Sequence, residues 1–288
     1  VSSIAYNKAS TLPEAIALSA ANPNMPVLAG GTDLIVQWRS GLISPPGFVD
    51  ISSVAELRTI SANDTFIEIG ACATHAAIAA DAGVNLHLPA LAKACLSIGA
   101  AQIQNRGTIG GNIMNASPAG DTLPVVLAYG AELKLESVKG ARWVSAVDFF
   151  TGYRKTAKNS DELLTRIKFP RRYSKDLRSE FYKIGTRRAQ AISKAAMCIV
   201  AEVSRGAIVE IAIAVGSVAP TAVRAFGTEA LLRGRAVTVP VIDSAKASIT
   251  DEFSPIDDVR STEDYRRFVC GSMLANFLSG LTKKNTPV

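Results

Sequence analysis

Two glycine-rich stretches set the tightest limits on how this chain folds. One reads Gly30-Gly31-Thr32-Asp33; the other, Thr108-Ile109-Gly110-Gly111-Asn112, lies within "RGTIGGNIMNASPAGDTLP" at 106–124. Each follows an apolar segment. Glycine lets the backbone come close to a ligand and aim consecutive N–H groups at one spot. Such a nest holds phosphate oxygens without a formal positive charge. Thr32, Thr108, Asn112, Asn115 and Ser117 add neutral donors, and Asp121 offers an acceptor for a ribose hydroxyl. The plain alternative is that each Gly-Gly pair only marks a tight turn. Neither stretch has the Gly-x-Gly-x-x-Gly spacing of a Rossmann site, and neither has the Gly-Lys-Ser/Thr of a Walker loop. A diphosphate held this way displaces few counterions, so salt weakens it little.

Around these stretches the chain alternates helical and strand signals. "TLPEAIALSAA" predicts a helix with Thr11 as N-cap, Pro13 in the first turn and Glu14 closing a capping box. A short strand at Pro26–Ala29, the first glycine turn, an apolar segment from Leu34 and the buried strand "GFVDIS" complete a small α/β unit over residues 1–55. "FIEIG" then reads as a strand leading into a helix at "ACATHAAIAA". "LPALAKACLSIGAAQIQN" is expected to be helical with an apolar stripe. The second glycine stretch leads to a short helix "LPVVLAYG" ended by Gly130 and to the strands "AELKLES" and "ELLTRIKFP". The polar run 171–178, "RRYSKDLR", is the natural domain boundary. Beyond it come the strands "SEFYKIG", "AAMCIVAEVS" and "AIVEIAIAVGSV", with a hairpin at Arg205-Gly206. Three helices follow, the last capped by Ser261 or Thr262. There is no internal repeat or heptad pattern.

Composition narrows the function. At 288 residues, 48% hydrophobic and 19% charged, the chain can bury two cores and is not disordered. The net charge of +6 comes from scattered pairs: Arg171-Arg172, Arg187-Arg188, Arg266-Arg267 and Lys283-Lys284. No run of them is interleaved with aromatics as a single-strand binder would need, so no nucleic-acid binding is expected. Cys72, Cys95, Cys198 and Cys270 stand far apart, which signals neither a disulfide framework nor an iron–sulfur cluster. Reduced cysteines and an N-terminus without the pattern of a secretory signal predict a soluble, cytoplasmic protein. The most apolar region, 189–223, is broken by Lys194, Glu202, Arg205 and Glu210, so no membrane span is expected. Cys72, His75, His87 and Cys95 form a conceivable zinc set, but the second pair's spacing fits no usual finger and Cys95 lies on an apolar stripe. Core packing is the expectation there, and no metal site is predicted.

"LAGGTDL" (28–34) and "NRGTIGGNIMNASPAGDTLP" (105–124) together resemble the flavin-binding subunit of the molybdenum hydroxylases. That family includes the xanthine dehydrogenases and the medium subunit of carbon monoxide dehydrogenase. The likeness continues in "ELLTRIKFP" (162–170), "FYKIGTRRAQAISKAAMC" (181–198) and "DDVRSTEDYRRFVCGSMLANFL" (257–278), all in order, so it covers nearly the whole chain. It implies an α+β fold: an FAD-binding domain of the vanillyl-alcohol-oxidase (PCMH) type over 1–175, built of two subdomains (about 1–55 and 56–175) with FAD between them. A smaller α+β C-terminal domain with an antiparallel sheet and helices would take up 176–288.

Carried over by position, Leu28, Ala29, Gly30, Gly31, Thr32, Asp33 and Leu34 would wrap the FAD pyrophosphate. Ile103, Gly107, Thr108, Gly111 and Asn112 would line the other side, with Asn115 and Asp121 toward the ribose and ribityl region. Leu164 would sit near the adenine and Lys183 at the flavin edge; Ile98 stands where some relatives carry an aromatic residue over the adenine. The resemblance places two [2Fe-2S] clusters and the molybdopterin cofactor in partner chains, a small iron–sulfur subunit and a large molybdopterin subunit, usually as a dimer of heterotrimers. This chain would be the electron outlet toward NAD+, a quinone or another acceptor. It needs no catalytic side chain of its own, and FAD is held non-covalently. Arg187-Arg188 reads either as an NAD+ or phosphate clamp or as surface charge. A stand-alone FAD oxidoreductase of the same fold and a flavin-free assembly subunit are the competing readings.

Overall fold

The computed structural model describes residues 4–171 and 176–283; residues 172–175, inside the expected boundary and including Arg172, lie outside them, as does Lys284. Among the described residues four sheets carry the architecture. The first is small and parallel: Gly47–Asp50 lies between Ala5–Lys8 and Val27–Leu28. The expected strand at Pro26–Ala29 shrinks to two residues because the chain turns away at the glycines. Helix Leu12–Ala21 connects the outer strands. Thr11 caps it through the N–H of Glu14 at 3.3 Å, while the Glu14 carboxylate reaches back to the N–H of Ser10, one residue earlier than a capping box requires. Ala9, Ala15, Val49, Ile51, Val54, Leu57, Cys72 and Leu163 form the core of this unit.

The second sheet is antiparallel, in the spatial order Ile60–Ala62, Phe66–Gly70, Leu163–Pro170, Glu132–Ser137, Gly140–Ser145. Its last strand in sequence lies at its centre, between Phe66–Gly70 and Glu132–Ser137. A helical layer of short segments covers it. One expectation fails here: "LPALAKACLSIGAAQIQN" is not one helix but two, Pro89–Ser97 and Ala101–Arg106. Ile98 turns extended and Gly99 takes φ +51, a conformation that breaks the helical ladder. A second correction concerns the glycine stretch at 108–112. It is no open turn; Gly110 and Gly111 lie in the first turn of helix Ile109–Asn115, capped by Thr108 through the N–H of Gly111 at 3.1 Å. A two-stranded hairpin, Phe150–Gly152 with Lys155–Thr156, flanks this layer.

The third large sheet runs Leu177–Ile184, Ala195–Ser204, Ala207–Gly216, Val223–Arg224, all antiparallel. Arg205 and Gly206 both take positive φ, as a two-residue hairpin turn requires. Both faces of this sheet are buried. Ala196, Cys198, Val200, Ala212 and Ala214 face the helical layer, whereas Ala195, Met197, Ile199, Ile211, Ile213 and Val215 face away from it. That far face is covered by helices Phe226–Leu232, Val239–Glu252 and Glu263–Lys283, the last capped by Thr262 rather than Ser261. Val269, Cys270, Met273, Leu274, Phe277 and Leu278 supply its apolar stripe at helical spacing. Alanine on the near face allows close approach, so one continuous core joins this sheet to the second one.

Candidate cofactor site

The first glycine turn leaves strand Val27–Leu28 at the carboxyl end of the parallel sheet, where open α/β sheets bind their ligands. Gly31 needs its φ of +75 to turn the chain into helix Leu34–Arg39. Gly30 is required for a different reason. A Cβ there would lie 2.1 Å from the carbonyl oxygen of Arg106 and 3.0 Å from Gly107 Cα, so the two glycine stretches meet backbone to backbone. A pocket of about 330 Å³ opens at this turn, lined by Leu28 to Thr32 and Ile35 on one side and by Tyr6, Asp50, Ser52 and Arg106 on the other.

The second stretch is stapled to the segment that precedes helix His75–Ala80. The N–H of His75 donates to Gly107 O (3.0 Å), that of Ile109 to Ala73 O (3.1 Å) and that of Gly110 to Ala71 O (2.9 Å). Gly110 is obligatory, since a Cβ would sit 2.5 Å from Ala71 O. The Thr108 hydroxyl is spent on its cap, but among the described residues the Thr32 hydroxyl has no hydrogen-bond partner. It lies 3.3 Å from where a Cβ on Gly107 would be. The Asn112 carbonyl accepts from the Thr122 hydroxyl at 2.6 Å, and that of Asn115 from Arg154 at 2.8 Å, which leaves both amide NH₂ groups without a partner among the described residues.

Asp121 is buried and doubly engaged. It accepts from Lys183 Nζ at 2.6 Å and from Ser193 Oγ at 2.6 Å, and Lys183 also donates to Ser97 O at 2.9 Å. Burial raises the Asp121 pKa above the usual carboxylate range despite the lowering by Lys183 and Ser193. At the other end Asp50 accepts from the Tyr6 hydroxyl and from the N–H of Ser52. Burial pushes its pKa up, but those hydrogen bonds outweigh it and hold Asp50 below the ordinary value. Thus the acidic groups are each neutralised or hydrogen-bonded, and Arg106 is the cation that lines the pocket.

The expected residues therefore fall into two groups. Leu28 to Thr32, Gly107, Thr108 and Gly111 converge at the junction of the glycine segments, and Asp121 and Lys183 pair with each other. Asp33 starts helix Leu34–Arg39 and accepts from Gln37. Ile103 is part-exposed and packs against Gly99, while Leu164 is buried in the main core opposite Leu135, so neither side chain lines the pocket. Tyr6, Asp50, Ser52 and Arg106, which line the pocket, and Ser193, which donates to Asp121, were not foreseen as site residues. Asp50 ends an apolar strand, a position that could have flagged it; Ser193 could not be found without knowing that its loop folds over Asp121. Cys72 and Cys95 sit in separate hydrophobic clusters, and among the described residues no group of three His, Cys, Asp or Glu could hold a metal. Among the same residues no helix is long and apolar enough to cross a membrane.

Does this site fit FAD? The first turn presents backbone amides to a pocket with one cation and a free threonine hydroxyl, which is the donor chemistry a diphosphate needs. The residues fit. Residues 2–172 match the family model described as FAD binding domain in molybdopterin dehydrogenase, and 180–281 match CO dehydrogenase flavoprotein C-terminal domain. The chain belongs to this family. A fellow member, the xanthine dehydrogenase FAD-binding subunit of Escherichia coli O157:H7, is 32% identical over 95% of this chain and 94% of its own. The carbon monoxide dehydrogenase medium chain of Hydrogenophaga pseudoflava is 30% identical over 95% of each. The family fold is equally plain: the crystal structure of the cyanide-inactivated Cu,Mo-CO dehydrogenase superposes with a TM-score of 0.90 at 30% identity, covering 95% of both chains. The α+β architecture, an FAD-type domain followed by a C-terminal domain with an antiparallel sheet, is that of this family's flavin subunits, which are oxidoreductase components.

Proposed function

We propose that this chain is the FAD-carrying electron outlet of a multi-subunit molybdenum hydroxylase or dehydrogenase. The observation that carries the reading is the meeting of Gly30 with Arg106 and Gly107, which sets the first turn's amides, the Thr32 hydroxyl and Arg106 around one pocket. Gly30, Gly31 and Thr32 bind the diphosphate from one side, and Gly107, Thr108, Gly111 and Asn112 from the other. Asn115, Asp121 and Lys183 orient the ribityl chain and flavin edge, and Leu164 supplies main chain near the adenine. Bound FAD supplies the chemistry of taking up electrons singly or in pairs and releasing them again. The Lys183–Asp121 pair fixes a charge beside it without adding a net one.

In this reading residues 1–175 are the FAD-binding domain, with subdomains about 1–55 and 56–175, and 176–288 the C-terminal domain. Electrons arrive from [2Fe-2S] clusters of a small partner subunit, the molybdopterin cofactor sits in a large one, and NAD+, a quinone or another acceptor removes the electrons. A cytoplasmic dimer of heterotrimers is the assembly we assign. The test is the visible spectrum of the full chain incubated with FAD and desalted, followed by acid precipitation to identify released flavin. One FAD per chain is the expected result, with no substrate hydroxylation in the absence of partners. A folded chain that releases none, or one that hydroxylates an N-heterocycle alone, sinks the reading.

A further inference from the structure

We propose that His75 is a phosphate-binding residue of the cofactor site, donating its Nε2–H to an oxygen of the FAD diphosphate. The inference rests on the FAD reading above and adds a residue that neither the glycine motifs nor the family likeness had assigned.

His75 is 2% exposed, yet it is not packed as a core histidine. Buried polar side-chain atoms are nearly always hydrogen-bonded. The Nδ1 atom of His75 is fully enclosed and has no partner among the described residues. The ring also lies at the seam of the two glycine segments. A Cβ on Gly107 would be 3.1 Å from His75 Cδ2 and 3.3 Å from Thr32 Oγ1, so both side chains border one point. The Cδ2 edge of the His75 ring and the unpartnered Thr32 hydroxyl thus border the place where the glycine segments meet, while the enclosed Nδ1 lies on the other side of the ring.

The tautomer follows from the enclosure. A neutral imidazole has one N–H and one lone pair, and the proton goes where an acceptor is available. At Nδ1 there is none. The proton therefore resides on Nε2, the atom bonded to Cδ2, on the side of the ring that faces the seam. Burial alone pushes the His75 pKa down to about 4, with no charged neighbour contributing, so the group remains a neutral donor throughout the physiological range. A cation there would face a desolvation cost that a neutral donor avoids. His75 thus matches the other donors of the site, which are backbone amides and hydroxyls, and explains how a diphosphate is held beside a lone arginine.

The test uses the full chain, titrated with FAD, ADP and riboflavin by flavin fluorescence and calorimetry. His75→Phe keeps a ring but removes the donor, whereas His75→Gln returns an N–H near the Nε2 position. We expect His75→Phe to weaken FAD and ADP about tenfold, with riboflavin unchanged and His75→Gln restoring most of the loss. Equal weakening of all three ligands, or none, overturns the proposal. Should His75→Phe fail to fold, the 15N spectrum of the wild-type histidines decides. Protonation at Nε2 with a shift on ADP addition supports the assignment; an Nδ1–H tautomer, or no shift at saturation, overturns it. A wild-type chain that binds neither FAD nor ADP fails differently, by removing the FAD reading itself.

Discussion

The His75 ring couples the site to acidity through burial rather than through charge pairing. Unfolded, it takes up a proton near 6.5; folded, only near 4. The unfolded state thus binds more protons between those values, and stability falls as pH drops through that window and levels off below about 4. The shift corresponds to about 3 kcal/mol at most. Asp121 acts in the opposite direction, because its raised pKa lets the folded state hold a proton that the unfolded chain releases. The clean measurement is therefore a difference. Denaturation of wild type and His75→Gln at pH 7 and pH 4.5 should show wild type losing about 2 kcal/mol more than the variant between the two. Identical profiles would mean that the ring is not buried neutral. The residue was visible in the sequence only as one of four scattered zinc-type ligands. Its role depends on Gly107 lying over it, and no local pattern announces that.

At the scale of elements, three segments are tied at one ion pair, two of them more than sixty residues from the third. Lys183 belongs to strand Leu177–Ile184, Asp121 follows helix Ile109–Asn115, and Ser193 precedes strand Ala195–Ser204. Both charged side chains are largely buried, at 13% and 8% exposure, so removing one partner strands the other. Lys183→Met should cost about 3–5 kcal/mol, and the double variant Lys183→Met/Asp121→Leu clearly less. Urea denaturation of the three proteins checks this, and a double variant worse than the single would show that the pair itself stabilises. Elements with strong signals were legible: the capped first helix, the apolar strands 66–70, 163–170 and 195–216, and the hairpin at Arg205-Gly206. Strands Ala5–Lys8 and Gly140–Ser145 were not, because their residues are mostly exposed edge positions with no alternation to read. The helix expected across 88–105 was overextended because Ile98 keeps the apolar period while Gly99 breaks the backbone.

Among the described residues the molecule has three hydrophobic clusters of unequal size. The parallel-sheet unit rests on a small cluster, whereas the second sheet and the near face of the third share one large core. Local opening follows buried apolar contact. In hydrogen exchange of the FAD-free chain, amides of Gly47–Asp50 should exchange well before those of Ala195–Ser204, and FAD should slow the first set more than the second. Uniform slowing across both sets would place the ligand elsewhere.

The central position of Leu163–Pro170 in its sheet has a further consequence, for the order in which the protein matures. As the chain leaves the ribosome, Phe66–Gly70 and Glu132–Ser137 emerge first, yet each must wait for the strand that joins them. Until residue 170 is free, two apolar strands stand with open edges, and the nascent chain is most in need of chaperones over that interval. The contacts that hold Asp121 form later still, since Lys183 and Ser193 are synthesised after the strand that closes the sheet.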